Sequence, residues 1–243
     1  MRRDLKIIAF TVLSAGLWTG GSRVAVAASD LDVFRVTDVE FTGLETVRQG
    51  ELLALLAVTQ ESSVWTSTDT WEQRLAPHPM VKAARVRRRM PGTLLVSVEE
   101  RRPVALVPTP TLEPVDEEGR RLPLDPAERR LDLPVIQTNL TPARGARLLP
   151  ARDRMLAGEV ARLMEADTAF LQLVSEVSLR DRETLVVRWS EPRVEFLLTP
   201  GVPAQRLREG LTVLADAFGR DSEHPPTVID LRFADQVVVR RTR

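Results

Sequence analysis

Hydrophobic and polar residues alternate most clearly between His78 and Ala105, in HPMVKAARVRRRMPGTLLVSVEERRPVA. Ala84 and Val86 point to one face, and Arg85, Arg87 and Arg89 to the other. Further on, Leu94, Val96 and Val98 share a face opposite Thr93, Ser97 and Glu99. A period of two marks half-buried strands. Pro91 and Gly92 between them predict a type II turn, with proline fixing the first φ and glycine taking the positive φ that follows. The expected product is an antiparallel hairpin with an apolar inner face and an arginine-rich outer one. Upstream, residues 34–41 predict a strand ended by Gly43. Residues 48–57 predict a helix whose core stripe is Leu52, Leu55 and Leu56. Asp69 and Glu72 have capping-box spacing at the start of a second, short helix, on which Trp71 and Leu75 share a face. The order is β-α-α-β-β.

Past Pro103 the signals are weaker. A proline-rich stretch carries the turn Asp116-Glu117-Glu118-Gly119, and Leu133-Pro134-Val135-Ile136 follows a loop over 125–130. Residues 152–166 are helical by period, with Leu156, Val160 and Leu163 on one side. Strands are expected over 184–189 and 193–198, on either side of Glu191-Pro192. A helix is expected over 203–218, where Leu207, Leu211, Leu214 and Phe218 make one face. Pro203 suits its first turn, where a missing N–H costs nothing. Residues 228–233 and 237–240 read as closing strands. The mixture predicts an α+β protein.

The N-terminus is of another kind. MRRDLK precedes the apolar run IIAFTVLSAGLW, the mark of a segment handled by the secretion machinery. The run is short for a bilayer span, which wants about 20 residues. Ala25-Val26-Ala27 offers a cleavage site, so residues 1–28 read as a signal peptide. Arg23 could snorkel and the span tilt, which makes them a signal anchor instead, in the membrane through residues 7–22. Either reading places the bulk of the chain outside the cytoplasm, because positive charge stays inside.

Composition narrows the function. Lys and Arg together number 34, balanced by 34 Asp and Glu, so no global basic field points to nucleic acid. Cysteine is absent, which excludes disulfides and thiolate chemistry. The two histidines, His78 and His224, have no second His or Cys at ligand spacing. Neither a nucleophile elbow nor a phosphate-binding loop is present. Glu99 and Glu100 lie on opposite strand faces. Asp230 and Arg232 share a face as an expected surface ion pair, worth less than about 1 kcal/mol. No enzyme, metal or cofactor is expected. The arginine row 85–89 has a plain solvated face as its first reading and an acidic partner as its second.

The wording of the hairpin adds a resemblance. Pro79, Val81, Ala84, Val86, Arg88, Pro91, Thr93, Leu94, Val96, Val98, Glu100, Arg101, Pro103, Val104 and Ala105 fall into the pattern of the polypeptide-transport-associated (POTRA) domain of the FtsQ/DivIB cell-division family. Val115-Asp116-x-x-Gly119, Leu133-Pro134-x-Ile136 and Asp230-Leu231-Arg232-Phe233 resemble later motifs of the same family. The resemblance implies a POTRA domain over 32–101 and an FtsQ-type β domain over 103–243, the latter a mostly antiparallel curved sheet with two helices. It implies a divisome scaffold at the septum, anchored by one pass in the cytoplasmic membrane. Its POTRA domain would help direct it to the division site, and its last strands would receive a segment from FtsB- and FtsL-like proteins. Carried onto this chain, that edge is Phe233, Val237, Val238, Val239 and Arg240. The residues alone leave Val237 to Val239 equally readable as a strand that completes the core. A cleaved periplasmic POTRA protein acting as a chaperone-like or outer-membrane-assembly factor is the alternative.

Overall fold

A computed structural model describes residues 32–109, 111–138, 146–221 and 223–241. The expected signal peptide or anchor over 1–28 lies outside them. Among the described residues no helix is long and apolar enough to cross a membrane. The chain divides into two compact units, the first ending at Glu100 and the second beginning at Arg101.

The first unit runs β1 (Asp38–Thr42), α1 (Gln49–Leu56), α2 (Thr68–Leu75), β2 (Val81–Arg89) and β3 (Thr93–Glu100), the expected β-α-α-β-β order. The sheet order is β1-β3-β2. β1 runs parallel to β3, with Val39 beside Leu94 and Phe41 beside Val96. β2 and β3 form the antiparallel hairpin, with Val86 opposite Val96. Leu94, Val96 and Val98 are buried, as are Leu52, Leu56, Trp71 and Leu75 from the helices.

Four local expectations are corrected. The first strand begins at Asp38, because residues 34–36 bond instead to the 62–64 segment: Val36 N–H donates to Ser62 O and Val64 N–H to Phe34 O. Leu55 stands at the margin of the α1 stripe and is exposed. The N-cap of α2 is Ser67, not Asp69, and makes no side-chain bond. Glu72 leaves its own helix and accepts from Val86 N–H at 2.9 Å. The hairpin turn is not type II, since Met90–Pro91 is cis and Gly92 keeps out of positive φ. Glycine is needed there for another reason: a Cβ would stand 2.7 Å from both Arg35 O and Thr37 Oγ1.

The second unit contains β4 (Ala105–Pro108), β5 (Leu112–Val115), α3 (Pro126–Arg129), β6 (Val135–Ile136), α4 (Ala151–Ala166), α5 (Thr168–Gln172), β7 (Val174–Leu179), β8 (Leu185–Trp189), β9 (Val194–Leu198), α6 (Ala204–Arg220), β10 (Pro226–Asp230) and β11 (Val238–Arg241). The strands form one eight-stranded sheet in the order β11-β10-β9-β8-β7-β6-β4-β5. Four of its pairings are antiparallel and three are parallel. The long helices α4 and α6 bury Leu156, Val160, Leu163, Leu207 and Leu214 in one cluster with Val177, Val187, Phe196 and Ile229. Phe170 of α5 packs edge-on against Phe196 with centroids 5.1 Å apart. Each large apolar side chain buried this way contributes about 1.5–3 kcal/mol. Together the two units give the α+β fold.

Candidate partner-binding edge of the second sheet

β11 pairs with β10 on one side only and ends the sheet. Its register sets Val238 opposite Asp230, Val239 opposite Ile229 and Arg240 opposite Val228. Directly opposed residues share a face, so Val239 follows Ile229 toward the helix side. Val237, just before the strand, and Val239 pack half-buried against the core. Val238 and Arg240 take the other face, with Arg240 exposed. Phe233 stands apart from these, in the loop between β10 and β11, with 42% of its surface open. The structure thus joins Val237 to Arg240 into one edge and hangs Phe233 beside its entry. The valines serve the core and the edge at once.

The Asp230-Leu231-Arg232-Phe233 motif explains why β10 stops at Asp230 rather than running on to 233. Asp230 is completely buried. Its Oδ1 accepts from Arg232 N–H at 3.2 Å and Nε at 2.9 Å, and its Oδ2 accepts from Arg232 Nη2 at 2.7 Å. These bonds turn the chain off the ladder. Arg232 also donates to the buried Thr184 Oγ1 at 3.2 Å, tying the end of β10 to the start of β8. This corrects the expectation of a surface ion pair, because one partner has no solvent to fall back on. Hydrogen bonding from Arg232 holds the Asp230 carboxyl below the usual carboxylate range, with the nearby charges of Arg232 and Arg240 adding to it. An open groove of about 610 Å³ lies alongside, lined by residues that include Arg182, Glu183, Arg232 and Phe233.

The two ends of this sheet differ. At the β5 end the chain covers itself: Leu122 N–H donates to Pro114 O at 2.8 Å, and Arg121 bridges to Val115. Pro114 has no N–H to offer a further strand. At the β11 end, no strand among the described residues pairs with the outer side. An unpaired edge presents backbone donors and acceptors that another chain can use. Among the described residues the β5 edge is covered by chain, whereas the β11 edge is left to its shortness and to Arg240 and Arg241.

Several other residues singled out by sequence have partners of their own. Arg85 meets Glu72 at 3.4 Å, Arg89 holds Glu40, and Arg88 donates to Val64 O and Thr66 O. His78 Nδ1 accepts from Met80 N–H at 3.2 Å, while His224 lies exposed beside Asp221. The Glu100-Arg101 pair of the hairpin motif divides its work between units. Burial pushes the Glu100 carboxyl up, but the N–H groups of Val47, Glu45 and Thr46 outweigh it and hold the group below its usual range. Arg101 bonds Asp116 at 2.7 Å and Glu118 at 2.8 Å, in the Asp116–Gly119 turn. Arg206, in the first turn of α6, was not visible to sequence reasoning. It donates to carbonyls of the β10–β11 loop. No period or motif marks an arginine on the polar flank of an amphipathic helix.

Residues 34–101 match a family model described as a POTRA domain of FtsQ type. A protein of Anaeromyxobacter sp. (strain K), named cell division protein FtsQ, is 33% identical over 205 residues, covering 79% of this chain and 67% of the relative. One of the same name from Myxococcus fulvus is 32% identical over 135 residues, covering 55% of this chain. That match spans only 48% of the relative's own length. A third, from Rhodothermus marinus, is 29% identical over 228 residues, covering 86% of this chain and 79% of the relative.

Proposed function

The chain belongs to the FtsQ/DivIB family, and on that premise we propose that it is a cell-division protein acting as an extracytoplasmic divisome scaffold. It works by binding and not by chemistry. Residues 32–101 form its POTRA domain and residues 103–243 its FtsQ-type β domain. Residues 1–28 direct the chain to the cytoplasmic membrane, which leaves both domains outside the cytoplasm.

The observation that carries this reading is the asymmetry of the second sheet, covered at β5 and open at β11. A segment of an FtsB- or FtsL-like protein adds as a further strand beside Val238, Val239 and Arg240. Main-chain bonds supply affinity, and side chains flanking the strand supply selectivity. Phe233 offers an exposed ring at the entry to the edge, and Arg240 offers positive charge along it.

The test is Val239→Pro in the full chain, titrated with an extended segment of the cognate FtsB-like protein. Leu231 N–H donates to Leu197 O, so the next peptide group turns Asp230 O toward Val238, and Val239 N–H faces the open side, where proline removes it. The account expects affinity to fall by at least about tenfold, or roughly 1.4 kcal/mol, while circular dichroism shows the domain still folded. Unaltered binding by a folded variant would sink the edge model.

A further inference from the structure

The open edge depends on a loop that has almost no structure of its own. Between Asp230 and Val238 the chain leaves the sheet, exposes Phe233, Ala234, Asp235 and Gln236, and returns. The four exposed residues Phe233 to Gln236 leave the backbone many alternatives, and fixing each residue costs free energy. Something must select one path, or β11 would not be presented in a single register.

Arg206 does this. Its Nη2 donates to Phe233 O at 2.6 Å and also to Gln236 O, and its Nε reaches Leu231 O at 3.5 Å. The remaining arm, Nη1, bonds Glu209 at 2.6 Å one turn along α6. Glu209 is steadied in turn by Gln205 Nε2 at 3.1 Å. All three guanidinium nitrogens are therefore engaged, and the Arg206 side chain is only 12% exposed. Phe233 and Gln236 are three residues apart, the spacing at which a turn's own N–H would bond its first carbonyl. Here a side chain from another element takes both carbonyls instead. A planar fork with fixed donors suits that geometry, and a lysine ammonium on a flexible stem does not.

We infer that Arg206 is a positioning residue which clamps the β10–β11 loop from α6 and so holds β11 and Phe233 ready for an incoming strand. The inference rests on the reading of β11 as the partner edge. Pre-ordering the loop means that less freedom is lost on binding.

The test compares wild type with Arg206→Met and Arg206→Lys, all as full chains. Methionine keeps much of the stem's packing. Amide exchange is followed over residues 231–241 in the free protein, and affinity is measured for the same FtsB-like segment. The clamp predicts exchange at least about tenfold faster in Arg206→Met, confined to the loop and β11 with α6 and β9 unchanged. It predicts a parallel loss of affinity, and little rescue by lysine. Unchanged exchange in Arg206→Met would overturn the clamp whatever the partner does. Faster exchange with unaltered affinity would overturn its positioning role. Failure of wild type itself to bind the segment contradicts the partner reading of β11, and exchange alone then decides the clamp.

Discussion

Asp230 shows what a single buried carboxylate does here. It sits beneath β11, opposite Val238, and holds three nitrogens of Arg232. Because its folded pKa lies below the ordinary aspartate value of 3.8, the ionised form stabilises the fold. That contribution is complete above about pH 4 and is lost as pH falls through the depressed pKa. Asp230→Asn is therefore expected to lower stability at pH 7 by about 1–3 kcal/mol. In urea titrations repeated at falling pH, the gap to wild type should narrow below about pH 4. A gap independent of pH would mean that the charge is not what matters. The Asp-x-Arg spacing was legible in sequence, but its burial was not. Burial there is set by β9 and β11 lying on either side, and strand neighbours are non-local. Arg206 was hidden for a related reason, since its three loop acceptors lie 25 to 30 residues away in the chain.

Among the elements, those with a long run of regular period were readable and those without one were not. The β2–β3 hairpin and the helices α4 and α6 emerged from spacing alone. β7 did not, because a register shift between Val174 and Glu176 breaks its alternation. β4 and β5 are four residues each and lie among prolines, so they looked like loop. The strand expected over 228–233 runs over Pro226–Asp230 instead, its end drawn in because Arg232 folds back onto Asp230. The seating of α6 on β10 rests on a close approach that the leucine stripe does not reveal. A Cβ on Gly210 would come within 2.6 Å and 2.9 Å of the two methyls of buried Leu231. Overpacking of this kind costs about 1–3 kcal/mol. Alanine regains about 0.5–1 kcal/mol of helix propensity, so Gly210→Ala should lower the urea midpoint by the remainder, with an unchanged slope. An equal or higher midpoint would show that Leu231 turns aside freely and that α6 is not pinned there.

At the scale of the whole molecule, two small units carry separate tasks. In the first unit Arg88, Arg89 and Glu100 bond within the fold, while Arg85 and Arg87 stay on the exposed face that was the first reading of the arginine row. The second builds a long sheet closed at β5 and open at β11, with Arg232, Arg240 and Phe233 grouped near the open end. Family membership makes this a cell-division protein, and the proposed reading has a division partner add a strand at the open edge. The measurement that tests this most directly is hydrogen exchange of the full chain with and without the extended segment of its FtsB-like partner. Strand addition predicts new protection at the outward-facing amides of Val239 and Arg241 and in the Leu231–Val237 loop, with none at β5. Protection confined to the first unit, or to the β5 end of the sheet, would contradict the account.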